Sequence, residues 1–305
     1  MLENFKKAIF RALCCVFMGG GLMAEPTPKE LFDQGKEIRD FAVSGGGGTF
    51  RVDSLEAKKY YIQAKEYFEK ACELNYAKGC VSLGGLYEGE NLVIGENPRL
   101  KERLKKAIQY YSKACDLKDG DGCFNLGYIY ELNGYGVVKK DLKKAAQYYS
   151  KACELDNAGS CVILSTRGDE LANKQEVFQY LSKACELNSG SGCLMLGGLY
   201  RKDFKKAAQY YSKACDLNDK FGCSTLGAMQ YIGKGVVKNE KQAMEKFEKA
   251  CKLEKQEACE MVTYKGLCEL GHKEACEIFS LEVLCESSDQ KACDMSYDKK
   301  KALGF

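Results

Sequence analysis

Cysteines recur along this chain in pairs eight residues apart, and this spacing restricts the folds that the chain can adopt. Of its 18 cysteines, all but Cys14 and Cys15 belong to such pairs. The pairs are Cys72 with Cys80, Cys115 with Cys123, Cys153 with Cys161, Cys185 with Cys193, Cys215 with Cys223, Cys251 with Cys259, Cys268 with Cys276 and Cys285 with Cys293. Residues eight apart on one continuous helix are separated by about 12 Å, whereas a disulfide needs Cα atoms within about 4.4–6.8 Å. A disulfide within each pair therefore requires the chain to reverse direction between its two cysteines.

The residues between the paired cysteines favour such a reversal. Segments such as "ELDNAGS" (154–160) and "ELNSGSG" (186–192) are rich in turn-forming residues. The residue before the second cysteine is Gly, Ser or Ala in every pair, as a crowded junction between two helices requires. We predict eight disulfides, each of which joins the end of one helix to the start of the next.

The cysteine spacing does not indicate a metal or redox site. Zinc sites favour cysteines two to four residues apart, usually accompanied by histidines, and His272 is the one histidine of the chain. The Cys-x-x-Cys motif of thioredoxin-like redox proteins does not occur either. We therefore expect no metal and no cofactor.

Residues 1–24 have the layout of a secretory signal peptide. Lys6, Lys7 and Arg11 form a positively charged start, an apolar stretch covers 12–24, and the small residue Ala24 offers a cleavage site. The apolar stretch is too short for a permanent membrane span. We predict a secreted protein, periplasmic or extracellular, with no membrane span after cleavage; a membrane-proximal helix that stays attached is the alternative. An even set of 16 cysteines in an exported chain favours disulfides.

Between the cysteine pairs the sequence repeats, and the repeat predicts two helices joined by a turn. Each unit begins Cys-x-x-Leu-Gly-x-x-Tyr, as at Leu126-Gly127, and two units continue with Gly-x-Gly-Val-Val (134–138 and 233–237). An Asp or Asn then precedes a run with helical apolar periodicity, and these residues are good helix N-caps. Because Gly127 and its equivalents lack a side chain, the helices can approach closely. We predict an all-α solenoid of stacked helix hairpins cross-linked by disulfides.

These motifs, with Ala-x-x-Tyr-Tyr-x-Lys-Ala-Cys, resemble the Sel1-like repeat family, which is related to the tetratricopeptide repeats. The cysteine pairs and the signal peptide are similar to its secreted branch, the Helicobacter cysteine-rich proteins. The resemblance implies an α/α solenoid wound as a right-handed superhelix, with protein or peptide partners bound on its concave face. It also implies an alternative, because penicillin binding and slow β-lactamase activity are attributed to members of this branch.

The repeat also predicts the organisation of the chain. We expect a signal peptide (1–24), a solenoid of about seven to eight units (25–295) and a basic tail (296–305). The first unit, with its "GGGG" connection (45–48), is expected to be flexible there and to cap the array. The last cysteine pairs follow at steps of 17 residues, which leaves room for one short helix per step. Ser165 and Gln230 depart from the repeat, where other units have Gly and Tyr.

If tetratricopeptide geometry applies, the residues around each Leu-Gly pair on the first helix face the concave side. Aromatic side chains next to single charges suit a protein or peptide partner, from the host or the bacterial envelope. Phe124 and Leu194 are equally compatible with the core. The predicted ligand-binding residues are Asp121, Phe124, Tyr128, Glu131, Leu194, Arg201, Phe221, Ser224 and Tyr231.

The alternative function, binding or hydrolysis of a β-lactam as a mimic of cell-wall peptide, has little support in the residues. Serine β-lactamases need Ser-x-x-Lys together with Lys-Thr-Gly and Ser-Asp-Asn elements. Ser288 and Ser296 each begin a Ser-x-x-Lys match, but the other two elements do not occur. We expect a binding scaffold without enzymatic activity, and a purely structural envelope spacer is a third hypothesis. The net charge of +3 gives no indication of nucleic-acid binding.

Overall fold

We describe residues 25–49, 51, 54–89, 98–132, 136–167, 173–200 and 202–303 in a computed structural model of the chain. In these ranges every regular element is a helix, and the chain forms two compact units, Met1–Tyr76 and Ala77–Phe305. The proposed signal peptide lies outside the described residues. The first unit contains α1 (Pro28–Val43) and α2 (Leu55–Glu73). The second contains α3 (Ala77–Gly89), α4 (Pro98–Asp116), α5 (Gly120–Glu131), α6 (Leu142–Glu154), α7 (Ala158–Thr166), α8 (Lys174–Glu186), α9 (Gly190–Leu199), α10 (Phe204–Asp216), α11 (Lys220–Ile232), α12 (Glu240–Lys252), α13 (Gln256–Glu269), α14 (Lys273–Glu286) and α15 (Gln290–Ala302).

In the first unit, local signals define both helices and the connection between them. A capping box formed by Thr27 and Glu30 begins α1, and the Ser54 side chain caps α2. Gly45–Gly48 forms a tight turn in which all four glycines have φ between 59° and 90°. A left-handed turn of this kind is accessible to glycine at little cost. The predicted flexible connection is therefore a defined turn with a conformation of its own.

The second unit repeats a hairpin in which a glycine of the first helix lies against an aromatic ring of the second. The first helices are α3, α5, α7, α9 and α11, and the second helices are α4, α6, α8, α10 and α12. A Cβ atom on the glycine would lie 2.6–2.9 Å from the nearest ring atom in four hairpins. This contact confirms the predicted close approach of the two helices. The glycines are Gly84, Gly127, Gly197 and Gly227, and they face Tyr111, Tyr149, Tyr211 and Phe247 respectively.

After α12 each step of the chain is a single helix, as the 17-residue spacing predicts. These helices, α13 to α15, have 13 or 14 residues, so they are not the short helices expected but are as long as α6, α8, α10 and α12. They share a core in which Phe247 of α12 packs with Met261, Ile278 and Phe279. One predicted boundary needs correction, because residues 296–302 are not a tail but the second half of α15. Ser296 is buried there, since it faces α14.

The predicted disulfides are present. In seven pairs the Cα atoms lie 4.3–4.9 Å apart, so the chain reverses between the two cysteines. These seven disulfides join Cys115 to Cys123, Cys153 to Cys161, Cys185 to Cys193, Cys215 to Cys223, Cys251 to Cys259, Cys268 to Cys276 and Cys285 to Cys293. Cys72 and Cys80 are disulfide-bonded as well.

Each bridge of the second unit lies at a junction between consecutive helices. Cys115, for example, is in the last turn of α4, and Cys123 is in the first turn of α5. The turn-forming residues between the paired cysteines predict this arrangement. The stacked helices form a repeat solenoid, while the right-handed sense of its superhelix stays a prediction.

Candidate functional site

The residues predicted on α5 differ widely in their exposure. Tyr128 has 42% of its surface exposed. Asp121 is exposed as well, and its carboxylate accepts a hydrogen bond from the side-chain amide of Asn157 at 2.7 Å. Phe124 is half-buried, with its ring centroid 5.8 Å from that of Tyr149. Of this group, Tyr128 and Asp121 are accessible to a partner, whereas Phe124 mainly fills the space between neighbouring helices.

Glu131, at the end of α5, takes part in a polar network between two hairpins. Its carboxylate accepts a hydrogen bond from the Tyr149 hydroxyl at 2.6 Å and forms an ion pair with Arg167, which follows α7. Burial, with a contribution from nearby Tyr128, raises the pKa of Tyr149 to about 12. The Tyr149 hydroxyl is therefore a donor throughout the neutral range. Glu131 is half-buried, and this network connects the end of α5 to α6 and to the residue that follows α7.

The predicted residues of the fourth and fifth hairpins, α9/α10 and α11/α12, also separate into buried and exposed groups. Leu194 on α9 is half-buried and packs against the core around Leu196 and Cys193. Arg201 lies outside the described residues. On α11, Phe221 has 50% of its surface exposed, whereas Tyr231 packs edge-on against Phe279 with ring centroids 5.2 Å apart.

Ser224 is fully buried, and its environment contains a lysine that the sequence did not single out. The Lys255 ammonium donates a hydrogen bond to the Ser224 hydroxyl at 3.2 Å and forms an ion pair with Glu286. Lys255 is 4% exposed and stands at the N-cap of α13, where four earlier first helices have Asp, Asn or Ser. A buried charge needs partners, and the Ser224 hydroxyl is one of the hydrogen-bond partners of Lys255. Because Ser224 is fully buried, it is not accessible to a ligand.

The two serines considered for catalysis have environments unlike that of a nucleophile in a cleft. Ser288 lies in the turn between α14 and α15, with φ at 77°. Ser296 is 1% exposed, and its hydroxyl donates a hydrogen bond to Glu282. Lys299, the lysine of that Ser-x-x-Lys match, forms an ion pair with Glu277 instead of contacting Ser296. Neither Ser288 nor Ser296 forms a hydrogen bond with the lysine of its own Ser-x-x-Lys match.

Three hairpins carry a stack of two tyrosines and a lysine, an arrangement that the sequence analysis did not anticipate. A tyrosine of the first helix stacks on a tyrosine of the second with ring centroids 5.4–5.6 Å apart, and a lysine lies 4.2–5.4 Å from the first ring. The stacks are Tyr87/Tyr110/Lys106, Tyr130/Tyr148/Lys144 and Tyr200/Tyr210/Lys206. The signal was present in the spacing of Leu-Gly-x-x-Tyr and Lys-x-x-x-Tyr-Tyr, but the pairing of the rings depends on how the helices pack.

Two further properties bear on the kind of site that the protein can form. Within the described ranges, no three His, Cys, Asp or Glu side chains come together in a group that could hold a metal ion. None of the described helices combines the length and the hydropathy that a bilayer span requires.

Comparison with known proteins places these repeats in a family. The Sel1 repeat profile matches residues 101–119, 120–157, 168–189, 190–219 and 222–254, and a tetratricopeptide repeat profile matches 51–78. The "Putative beta-lactamase HcpC" of Helicobacter pylori is 44% identical over 28% of this chain and 24% of that protein. "Beta-lactamase HcpA" of Helicobacter pylori is 43% identical over 35% of this chain and 34% of that protein. The chain thus matches about a quarter to a third of the length of these curated relatives.

Solved structures extend the comparison. Helicobacter pylori cysteine rich protein B is 62% identical over 41% of this chain and 96% of that chain, with a TM-score of 0.35. A Sel1 repeat protein from Oxalobacter formigenes has a TM-score of 0.55 at 22% identity, over 77% of this chain and 91% of that chain. The latter likeness concerns the fold alone. From the matched repeats and the identity to the curated Helicobacter pylori relatives, the chain belongs to the Sel1-like repeat family, with homologues among the Helicobacter cysteine-rich proteins.

Proposed function

We propose that this protein is a secreted scaffold that binds protein or peptide partners through the exposed side chains of its first helices, on the concave face of the solenoid. The proposed contact residues are Tyr128 with Asp121 on α5 and Phe221 on α11. Glu131 contributes a partly exposed carboxylate, and Arg201 and Tyr231 remain candidates. Ser224 and Leu194 are left out because their side chains pack inside the protein.

The observation that carries the proposal is the exposure of aromatic rings on the first helices of these Sel1-like repeats. Phe221 and Tyr128 leave about half of their surface to solvent. The Lys220 ammonium lies 5.7 Å from the centroid of the Phe221 ring, so a charge accompanies the aromatic group. Aromatic residues dominate the binding energy of many protein interfaces because they bury a large area at a small entropic cost.

A peptide-display selection on the oxidised protein, followed by affinity measurement, tests this proposal. Peptides selected on the unmodified protein should bind the Tyr128→Ala/Phe221→Ala variant at least about tenfold more weakly, since a truncated hot spot costs about 2 kcal/mol or more. Tyr297→Ala on α15 is the matched control, because Tyr297 is 66% exposed and lies on no first helix of a hairpin. Equal losses in both variants, or none in either, would contradict a site on the first helices.

The second candidate function is β-lactam binding or hydrolysis, and the names of the HcpA and HcpC relatives support it. A chromogenic cephalosporin assay separates it from scaffold binding. We expect no turnover that depends on Ser288 or Ser296. Turnover by the unmodified protein that disappears in Ser288→Ala or Ser296→Ala would favour the enzyme, whereas turnover unchanged in both would indicate contamination.

The disulfides and the homologues indicate an extracytoplasmic protein. Within that category we propose secretion, to the periplasm or to the medium, directed by residues 1–24. Cell fractionation with an antibody, together with the N-terminal sequence of the mature protein, tests the proposal. An intact Met1 on the mature protein would contradict cleavage after Ala24.

A further inference from the structure

The fifth hairpin, α11/α12, replaces all three members of the tyrosine–tyrosine–lysine stack. The position of Tyr200 is taken by Gln230, that of Lys206 by Gln242 and that of Tyr210 by Lys246. The two glutamines contact each other, with the Gln230 side-chain amide donating to the Gln242 oxygen at 3.4 Å. Two large rings are therefore absent from a place that they fill in three other hairpins.

A cleft of about 460 Å³ lies at this place, between the second helices α10 and α12. Its walls include all three replacement residues, and its floor is formed by buried Ala208 and Leu226. The Gly-x-Gly-Val-Val turn closes one end. Gly235 makes that position possible, because a Cβ atom there would lie 2.3 Å from the carbonyl oxygen of Phe204. The volume falls within the range of about 300–1,000 Å³ that is typical of ligand sites.

The polar groups of the cleft define the chemistry of a ligand. The Gln230 side-chain oxygen is buried at the wall of the cleft and lacks a hydrogen-bond partner within the described part of the chain, so a rotation of this side chain would offer an acceptor to a ligand N–H group. Gln209 and Gln242 add amides that both donate and accept.

The charges of the cleft favour an anionic ligand. Lys205 and Lys246 line it, and neither ammonium forms an ion pair with a described residue, while Glu245 is the one carboxylate of the lining. Two ammonium groups against one carboxylate leave a net positive cleft. Amide groups together with excess positive charge match a peptide backbone that carries carboxylates.

We propose that this cleft is a second binding site, distinct from the exposed aromatic residues of the first helices, and that it binds a short acidic peptide segment. The peptide backbone lies along the glutamine amides, and a carboxylate lies between Lys205 and Lys246. The site exists because α11/α12 lacks the stack that three of the other hairpins contain. Neither Tyr128 nor Phe221 lines this cleft, so a negative result for one proposal leaves the other unaffected.

The test rebuilds the missing stack with the residues of the neighbouring hairpin. Isotope-labelled oxidised protein is titrated with acetyl-Glu-Ala-Glu, up to about 1 mM, where a site with a Kd of that order is half filled. We expect shifts of the side-chain amide signals of Gln209, Gln230 and Gln242. In the Gln230→Tyr/Gln242→Lys/Lys246→Tyr variant, binding should weaken at least about tenfold, because the rings fill the cleft. Since three hairpins of this chain already contain the stack, this variant is expected to fold.

Single charge changes keep the test decisive even if the triple variant does not fold. Lys246→Gln leaves the cleft open and should weaken binding of the acidic peptide several-fold, while the uncharged acetyl-Gln-Ala-Gln-amide should bind both proteins equally weakly. Lys241→Gln, on the same helix but outside the cleft, is the matched control and should change nothing. The proposal is overturned if the peptide shifts no cleft amide, if binding survives in the rebuilt variant, or if the uncharged peptide binds as tightly as the acidic one.

Discussion

Each disulfide-bearing turn places one residue in the left-handed region of backbone space, three positions after its first cysteine. These residues have φ between 60° and 96° and are Asn75, Lys118, Asp156, Asn188, Asn218, Glu254, Gly271 and Ser288. The turns follow the usual C-terminal geometry of helices, in which the next amide hydrogen-bonds back into the last turn, as Asp119 does to Ala114. Asn and Asp tolerate this conformation better than Lys or Glu.

Replacement of Glu254 by glycine should therefore stabilise the protein. Relief of the left-handed conformation is worth about 1–2 kcal/mol, and the greater freedom of glycine in the unfolded chain offsets about 0.5–1 kcal/mol of it. We expect a net gain of about 0.5–1 kcal/mol in the free energy of unfolding, measured by denaturant titration under oxidising conditions. Asn218→Gly is the control and should gain less, since asparagine already suits the turn. A larger gain at Asn218 than at Glu254 would refute this account.

The N-cap residue of α5 gives a pH-dependent prediction. The Asp119 carboxylate accepts hydrogen bonds from the backbone amides of Asp121 and Gly122, but burial raises its pKa above the usual value of 3.8. A raised pKa in the folded state means that folding favours the protonated form. Relative to a variant that cannot titrate, the wild-type protein should therefore gain stability as the pH falls through that raised pKa.

The variant that tests this is Asp119→Asn, which keeps a cap oxygen and removes the charge. It should be at least as stable as the wild type at pH 7 and lose this advantage towards pH 4, as followed by thermal melting. Asp119→Ala should be less stable by about 1 kcal/mol at pH 7, because the cap is lost. If the advantage of Asp119→Asn grew on acidification, folding would have to lower the pKa of Asp119, and the prediction would be wrong.

At the scale of helices, the Leu-Gly pair determines how closely the two helices of a hairpin pack. Gly197 and Gly198 are neighbours on α9, but a Cβ atom on Gly197 would lie 2.8 Å from the Tyr211 ring, whereas one on Gly198 meets nothing nearer than 4.0 Å. The pattern Cys-x-x-Leu-Gly therefore encodes a contact at one of the two glycines. A Cβ atom at Gly198 meets no close neighbour, so packing does not require glycine at that position.

Alanine substitutions at these two positions should have opposite effects. Gly197→Ala should destabilise the protein by about 1–3 kcal/mol through overpacking against Tyr211. Gly198→Ala should be neutral or stabilising by up to about 1 kcal/mol, because alanine is the better helix former. Chemical denaturation of both oxidised variants measures the difference. Similar losses at the two sites would mean that helix geometry, and not the aromatic ring, makes glycine necessary at 197.

For the second unit as a whole, the disulfides matter because a linear array has few contacts between distant repeats. Each helix packs mainly on its neighbours, so stability is approximately a sum of local terms. A disulfide across a nine-residue turn contributes about 2.6 kcal/mol in the loop-entropy account. The bridges thus stabilise the junctions, where the left-handed turns and crowded small residues lie.

Removal of one bridge should consequently have a local effect. Cys185→Ala/Cys193→Ala should lower the stability of α8 and α9 by up to about 2.6 kcal/mol and accelerate their amide hydrogen exchange. Protection in α3 and α4, at the far end of the same unit, should remain unchanged. Hydrogen exchange followed by mass spectrometry of the oxidised protein makes this measurement. An even loss of protection from α3 to α15 would mean that the unit unfolds as a single cooperative body.

The sequence by itself determined the helical class, the cysteine pairs and the glycine contact, because each depends on neighbours within a few residues or on a repeated spacing. The sequence also predicted Tyr128 and Phe221 as binding candidates, and both side chains are exposed. Only the tertiary structure decided that Ser224 is buried beneath Lys255, that Ser296 faces Glu282, and that rings from two helices stack. The cleft beside Gln230 likewise depends on three helices at once. These features arise from contacts between residues distant in sequence, and no local periodicity records which side chains such contacts bring together.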